Sequence, residues 1–396
     1  MTRPFLLVMW STLAYFICVG ALLPTLPLYV EGPLGGGTVA VGMTIGIFSL
    51  AAVLIRPFTG RVGDTRGRRP LLVAGAAVVG VAVLGYLVVD SLALLLVLRI
   101  VAGAGEAAFY VGAASAINDI SPDERRGEAF SYFSLALFGG LALGPILGEQ
   151  ALEWGGYDSA WIVAASGALL AALVALKVPE TRPDTDDDRP RGKTPLVHRA
   201  GLLPGTILAA HIWGLASFIS FLPLYVLDLG LQGSKYIFAL HSGILLVIRS
   251  LGARLPDRLG PRLSARASLS CSTVGLAVMA IWGTVPGLIV GTILFSIGHS
   301  LLFPALMILA INGAPASERA SVVSTFTAFF DLAFGLGAVS AGAVAAVLGY
   351  RGAFAASGVA AFSGLVLLNL YARRADRRES PGAPNLAEAR PTSPTG

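Results

Sequence analysis

The chain has 396 residues, of which 55% are hydrophobic and 13% are charged, and its mean hydropathy is +0.76. This composition is too apolar for a soluble globular protein, so we expect the chain to lie in a lipid bilayer. The formal net charge of +5 is concentrated in turns between apolar segments. We therefore interpret it as membrane topology and expect no nucleic-acid partner.

Twelve apolar segments are long enough to cross a membrane as helices, which takes about 20 residues. Helices are expected because an open strand would leave backbone groups unpaired in lipid. In chain order the segments lie near 5–30, 39–59, 71–89, 92–118, 128–148, 159–178, 201–227, 236–254, 264–282, 286–311, 321–347 and 352–372. The predicted fold is an all-α membrane protein with two pseudo-symmetric six-helix bundles, at residues 1–178 and 201–378.

The segments outside the bundles are polar. Residues 179–200 are rich in Pro, Asp, Arg and Thr, and we predict a cytoplasmic linker there. Residues 379–396 are rich in Pro, Ser, Gly and Thr, and we predict a disordered cytoplasmic tail. The acidic run Asp186-Asp187-Asp188 is interpreted as solvated charge. We expect no metal site and no cofactor.

Basic residues fall mainly on one side of the predicted spans. With the N-terminus in the cytoplasm, only Lys235 and Arg351 of the 28 basic residues lie in outside loops. Cytoplasmic loops of membrane proteins carry an excess of Lys and Arg. We therefore predict a multi-pass membrane protein with both termini in the cytoplasm, and we expect the membrane to be the bacterial cytoplasmic membrane.

A charged turn between the second and third spans recurs in the second half of the chain. Five of its residues return 193 positions later, and a pentapeptide at 26–30 returns at 222–226. The first set comprises Arg56, Arg61, Asp64, Gly67 and Arg69, and the second comprises Arg249, Arg254, Asp257, Gly260 and Arg262. Two parallel six-helix repeats explain these matches.

Charged residues within the spans are the leading candidates for proton coupling, because burying them in lipid costs a few kcal/mol. Arg99 and Glu106 share one face of the fourth span, and the repeat sets His299 opposite Glu106. A carboxyl group in apolar surroundings exchanges protons near neutral pH. We predict Glu106 as the proton carrier, Arg99 as its modulator, and His299 and Asp331 as further candidates. The alternatives are a permanent Arg99–Glu106 pair and, for Asp331, a hydrogen bond to a helix backbone.

Two further features concern packing and the cavity. Gly140, Gly144 and Gly148 allow another helix to approach the fifth span closely, and Pro145 bends that span. We predict a structural seal near the outer face there. Aromatic residues on the first, fourth, seventh and tenth spans suit an amphiphilic substrate better than a sugar, and helical packing is the alternative explanation for them. These are Tyr15, Phe16, Tyr110, Trp213 and Phe303.

Several motifs resemble those of the major facilitator superfamily. The turn Gly60-x-x-x-Asp64-x-x-Gly67-Arg68-Arg69 is similar to the family signature between helices two and three. Arg99 with Gly103 and Gly105 resembles the helix-four motif, and the glycines around Pro145 resemble the helix-five motif of proton-driven antiporters. Thr65 departs from the signature, which usually has a basic residue there.

The resemblance implies a conformational latch built from the signature turn and its second copy. It comprises Gly60, Asp64, Gly67, Arg68, Arg69, Asp119, Asp257 and Arg258. The implied partner of Asp64 is the start of helix eleven, around Ala320 and Ser321, and Asp119 is expected to pair with Arg68. The resemblance also implies that helices one, four, seven and ten line the cavity. The alternative is a turn that only sets topology.

We therefore expect a monomeric secondary transporter whose partners are the bilayer, protons and a small-molecule substrate. The predicted activity is export of a hydrophobic or amphiphilic drug or natural product in exchange for protons, by alternating access. One alternative is an exporter of a sugar, siderophore or other metabolite, and another is a transporter-like membrane sensor. The chain lacks Gly-x-Ser-x-Gly, Walker and His-Glu-x-x-His motifs, so we do not expect an enzyme.

Overall fold

The computed structural model describes residues 2–122, 125–181, 198–251, 259–315 and 318–379. Ten α-helices and one 3-10 turn, Gly85–Val88, make up the regular structure of these residues. The helices are α1 (Arg3–Glu31), α2 (Gly37–Arg66), α3 (Arg68–Leu84), α4 (Leu92–Ile120), α5 (Arg126–Ala175), α6 (Arg199–Asp228), α7 (Lys235–Leu251), α8 (Pro261–Ile281), α9 (Val285–Asn312) and α10 (Arg319–Glu379). Most of the predicted linker, the tail from 380 onward, and Asp257 and Arg258 lie outside the described residues.

Helices α5 and α10 are each long enough for two membrane spans. Their helical geometry breaks at Gly155 and Gly156 in α5 and at Gly349 in α10. Gly156 and Gly349 both have a φ of 69°, which glycine adopts without the penalty that a Cβ would bring. These two glycines are 193 positions apart, so the repeat includes the break.

The apolar segments of the sequence form the predicted helices. Nine helices in the described ranges are long and apolar enough to cross a membrane. Helix α7 has 17 residues up to Leu251, where this described range ends. With two spans each in α5 and α10, and with α7, these helices correspond to the twelve predicted spans.

The helices pack around two hydrophobic cores. The first core is built mainly from α1 to α5, here called the first bundle, and the second from α6 to α10, here called the second bundle. The bundles meet where α2 packs against residues 319–348 of α10, where α5 packs against α7, and where α1 packs against α6. The α2–α10 and α7–α5 contacts are two copies of one arrangement, because α7 repeats α2 and α10 repeats α5.

Close packing of α1 against α5 follows from the glycines in α5. A Cβ added at Gly144 would lie 2.6 Å from the Cα of Gly20, and one at Gly140 would lie 2.6 Å from the Cβ of Phe16. Pro145 lies inside the helix between these contacts. The expected close approach of another helix is therefore present, and its partner is α1.

The two ends of the bundle differ in charge. The end with the α2–α3 turn carries Arg61, Arg66, Arg68 and Arg69, and we call it the basic end. The opposite end, which we call the acidic end, carries Lys235 and Arg351 among a larger set of acids. These acids are Glu31, Asp90, Glu149, Glu153, Asp158 and Asp228.

Candidate functional site

Three charged side chains meet between the two bundles. Arg56 on α2 forms an ion pair with Asp331 on α10 through its Nη1 and the carboxylate Oδ2. The Nη2 of Arg56 lies 3.7 Å from Oε2 of Glu106 on α4. The Arg56 side chain is 27% exposed, and the side chains of Glu106 and Asp331 are each 13% exposed. We call Arg56, Glu106 and Asp331 the charged triad.

The charged triad is held in place by burial and by its neighbours. A buried charge is tolerated only when an opposite charge lies close to it. Here one arginine compensates two carboxylates. The Cζ of Arg56 also lies 5.3 Å from the ring centroid of Tyr110. Oε2 of Glu106 is buried and forms no hydrogen bond with the described residues. Glu106 is therefore the more loosely held of the two carboxylates.

Arg99 does not form the expected interaction with Glu106. Its Nε donates a hydrogen bond to Thr44 O at 2.9 Å, and its Cζ lies 4.3 Å from the ring centroid of Phe48. Seven residues separate Arg99 and Glu106 by about 10.5 Å along the helix axis. Arg99 thus joins α4 to α2, and Arg56 is the basic partner of Glu106 instead.

In the sequence, Arg56 was recognised only as a marker of the repeat. A charged residue followed by Pro57, within the apolar run of α2, was the available signal that it has a partner in the membrane. The ion pair with Arg56 gives Asp331 a side-chain partner. The alternative considered from the sequence was a hydrogen bond between Asp331 and a helix backbone.

His299 is held within the second bundle, and among the described residues no contact joins it to Glu106. Its Nδ1 lies 2.9 Å from Nε2 of His211, and the ring centroids of His299 and His241 are 5.8 Å apart. Nδ1 of His241 lies 2.8 Å from Ser296 Oγ. Imidazole stacking and hydrogen bonds thus hold His299 beside α6 and α7 in this conformation, and a role of His299 in proton coupling stays a prediction.

The second copy of the charged triad has different chemistry. Arg249 and Phe138 are the repeat counterparts of Arg56 and Asp331, at an offset of 193. The Cζ of Arg249 lies 4.5 Å from the ring centroid of Phe138. The contact between α7 and α5 is thus a cation–π interaction where the contact between α2 and α10 is an ion pair.

The predicted cavity aromatics are divided between the bundle cores and the interface. Tyr15 is fully buried, stacks on Phe109 at 4.0 Å, and meets Phe16 edge-on at 5.3 Å. Nε1 of Trp213 donates a hydrogen bond to Gly337 O at 3.1 Å. Tyr15 is therefore a core residue and Trp213 joins α6 to α10.

Of the other predicted cavity aromatics, Tyr110 contacts a charged residue of the interface, and Phe303 packs within the second bundle. Tyr110 lies beside Arg56. The ring centroids of Phe303 and Phe330 are 6.1 Å apart, and Phe330 directly precedes Asp331 in the sequence. A role of the five aromatics in binding substrate stays a prediction.

At the basic end, the signature turn forms a charged network. Arg68 Nη1 lies 3.2 Å from Asp64 Oδ1, and Arg68 Nε lies 3.0 Å from Asp119 Oδ2. Gly67 ends α2 with a φ of 100°, and a Cβ added at Gly60 would meet no atom within 4 Å. The pairing of Arg68 with Asp119 agrees with the sequence analysis, while the latch itself stays a prediction.

Glu180 extends this network, although no pattern in the sequence indicated a role for it. Its Oε1 accepts a hydrogen bond from Arg68 N at 2.7 Å, and its Oε2 accepts one from Arg69 N at 3.3 Å. Nη2 of Arg69 donates a hydrogen bond to Leu176 O at 2.6 Å. The carboxylate thus satisfies free backbone donors at the start of α3, where a negative charge is favoured.

At the acidic end, Glu149 joins the two bundles. Its Oε1 accepts hydrogen bonds from Ser234 N at 2.7 Å and from Ser234 Oγ at 2.6 Å, and its Oε2 accepts one from Lys235 N at 2.9 Å. Glu149 is 4% exposed, and it caps the start of α7. Its position directly after Gly148 of the helix-five motif was the available sequence signal.

Other contacts support the closure of the acidic end. Lys235 Nζ lies 2.5 Å from Glu153 Oε1, and Thr38 Oγ1 donates a hydrogen bond to Gly342 O at 3.1 Å. These contacts join α5 to α7 and α2 to α10. The bundles are therefore held together at the acidic end in this conformation.

Two related helical bundles, with ionisable side chains buried at their interface, define a membrane transport protein built from a duplicated six-helix unit. The family model of the Major Facilitator Superfamily matches residues 8–271 and 257–395, and the chain belongs to this family. The chain is accordingly a transporter and not an enzyme.

Two relatives and one solved structure illustrate the similarity. An MFS-type transporter of Pseudomonas aeruginosa (strain UCBPP-PA14) is 32% identical over 386 residues, which cover 93% of each chain. The MFS-type transporter STM4428 of Salmonella typhimurium is 27% identical over 369 residues, which cover 91% of this chain and 94% of that protein. A bacterial homologue of the human lysosomal transporter Spinster, solved in an inward-facing and unoccupied conformation, has a TM-score of 0.74 at 16% identity and covers 97% of this chain and 100% of that chain.

Proposed function

We propose that this transporter exports hydrophobic or amphiphilic small molecules, such as drugs or natural products, in exchange for protons. The observation that carries the proposal is the charged triad. Arg56 is shared between Glu106 in its own bundle and Asp331 in the other. The proton occupancy of Glu106 is thereby linked to a contact between the bundles.

The link follows from competition for one guanidinium. An ionised Glu106 draws Arg56 away from Asp331 and weakens the contact between the bundles. A protonated Glu106 leaves Arg56 to Asp331 and strengthens that contact. Because such coupling is reciprocal, opening the bundles changes the proton affinity of Glu106 as well.

The proposed orientation puts the basic end in the cytoplasm of a bacterial cell, with both termini there. The positive-inside tendency of membrane proteins supports this assignment. The acidic end then faces outward, and the contacts of Glu149 and Thr38 close the outer side. In this assignment the network of Asp64, Arg68 and Asp119 is the cytoplasmic latch, and the transporter works as a monomer.

The proposed substrate class rests on the mixed character of the interface. Tyr110 offers aromatic surface beside Arg56, which is one of a small number of charged groups at the interface. Pockets of this kind suit molecules with an apolar body and few polar groups. The resemblance of the Gly140 to Gly148 segment to the motif of proton-driven antiporters favours export.

The proton coupling is tested in proteoliposomes that hold the purified transporter and a pH-sensitive dye. We expect Glu106→Gln to abolish proton movement driven by substrate, because a glutamine neither binds nor releases the proton. Glu153→Gln is the matched control, since Glu153 is an exposed carboxylate at the acidic end. Full coupling in Glu106→Gln would falsify the assigned role.

The substrate class is tested by growth inhibition of strains that lack or overproduce the transporter. We expect overproduction to raise resistance to at least one group of amphiphilic compounds. Resistance that stays the same across cationic, neutral and anionic amphiphiles would reject drug export. A change in growth on sugars or in iron uptake would favour export of a metabolite instead.

A further inference from the structure

The two repeat-related arginines at the bundle interface differ in how their charges are compensated. Arg56 has two carboxylates within 4 Å, those of Asp331 and Glu106. Arg249 has the aromatic ring of Phe138 at the corresponding place. Among the described residues, no carboxylate forms an ion pair with Arg249.

The charge of Arg249 is costly where it lies. A guanidinium stays protonated in proteins, so this residue cannot escape the cost by losing its proton. Its Nε is buried and forms no hydrogen bond with the described residues. The cation–π contact with Phe138 contributes only about 0.5–2 kcal/mol. A buried cation with donors left over is a site for an anion from outside the chain.

The side chain of Arg249 contacts the other bundle. It therefore differs from an arginine near a helix end that extends its side chain to the membrane surface. It belongs to α7 of the second bundle, while Phe138 lies on α5 of the first. Tyr110 on α4 and His299 on α9 are its electrostatic neighbours. Neither tyrosine nor histidine carries a negative charge at neutral pH. In the part of the chain that the structure describes, Arg249 therefore has aromatic and imidazole neighbours but no counter-ion.

We propose that Arg249 binds the anionic headgroup of the transported molecule, so that the preferred substrates are amphiphilic organic anions such as carboxylates. This inference rests on the proposed function and narrows its substrate class. Phe138 covers one face of the guanidinium, and the N–H groups at the edge remain for a bidentate carboxylate. Arg56 is unsuited to this task because Asp331 and Glu106 occupy it.

The test compares two probes that differ only in charge. They are 11-(dansylamino)undecanoate and its carboxamide, titrated at pH 8 against the full-length protein in detergent and followed by dansyl fluorescence. We expect wild-type protein to bind the carboxylate more tightly, by roughly 10- to 100-fold, as for a hydrogen bond to a charged group. Arg249→Gln should lose this preference and bind the carboxamide as wild type does. Equal preference in Arg249→Gln and wild type would overturn the proposal.

The repeat offers a second pair of variants that leaves the arginine in place. Phe138→Asp copies the aspartate of the charged triad and supplies an internal carboxylate to Arg249. It should remove the preference for the anionic probe, while Phe138→Asn, of similar size and without charge, should keep it. If the Asp and Asn variants bind the two probes alike, the proposal fails. This pair decides the question even where Arg249→Gln does not fold.

Three further outcomes separate this inference from its alternatives. Competition by phosphatidylglycerol, with none by phosphatidylcholine, would assign the site to a lipid headgroup and overturn the proposal. Binding that discriminates the probes without any proton-driven export would support the anion site and reject the proposed function. Proton-driven export that is the same for anionic and neutral headgroups would support the proposed function and reject the anion site.

Discussion

The closure of the acidic end provides a quantitative prediction. Glu149 accepts three hydrogen bonds from the start of α7, and it is 4% exposed. In Glu149→Gln the amide oxygen keeps the bonds from Ser234, while the amide N–H₂ meets the N–H donor of Lys235. One charge-assisted hydrogen bond is lost, which costs about 1.5–3 kcal/mol. The ratio of protein open at the acidic end to protein closed there should therefore rise roughly 10- to 100-fold.

Labelling of a single cysteine measures this ratio. Ala345 on α10 is 5% exposed and belongs to the core that packs against the first bundle. We would introduce Ala345→Cys after replacing Cys18 and Cys271 with alanine, and follow its reaction with a maleimide that does not cross the membrane. Opening of the acidic end exposes this position, so Glu149→Gln should accelerate labelling by at least about tenfold.

Glu153→Gln is the matched control for this experiment. Glu153 lies one helical turn from Glu149 and also reaches α7, through Lys235, but its side chain is 51% exposed. An exposed ion pair contributes about 0–1 kcal/mol, so labelling should change less than about fivefold. Labelling of Glu149→Gln at the wild-type rate, or an equal effect of both substitutions, would refute the assignment of Glu149 as the seal.

Three further predictions concern stability and are checked by thermal unfolding of purified protein in detergent. Gly144→Val should lower Tm because the valine side chain would clash with α1. Gly60→Ala is the control and should leave Tm unchanged, because no atom lies within 4 Å of the new Cβ. An unchanged Tm in Gly144→Val would contradict the described packing. Arg56→Gln should destabilise by about 3–5 kcal/mol, since it leaves two carboxylates uncompensated, and adding Asp331→Asn should restore part of the loss. Glu180→Gln should cost about 1 kcal/mol at the start of α3, and an unchanged Tm would argue against its capping role.

Much of the fold could be predicted from the sequence because its signals are local. Apolar runs of about 20 residues require helices in lipid. The repeated turn and the glycines at 156 and 349 mark the two related halves. The pair Arg68–Asp119 was also predictable, because both residues lie at helix ends on the basic side.

Parts of the candidate site could not be predicted in the same way. Repeat arithmetic relates positions in two bundles, but it does not say which way their side chains point. It set His299 opposite Glu106, but it gave no indication that His299 contacts His211. Likewise, a shared helix face suggested Arg99 for Glu106, although the axial separation is too large for a direct pair.

The sequence by itself determined that this is a duplicated helical membrane protein, because hydrophobicity and repetition are properties of the chain. Only the tertiary structure decided which charges meet. Arg56 pairs with Asp331 across 275 positions, and Glu149 joins Ser234 across 85. Such partners depend on how separate helices cross, and buried charges take whichever partner this packing brings within reach. The same packing left Arg249 beside Phe138, where the first copy of the repeat has an ion pair.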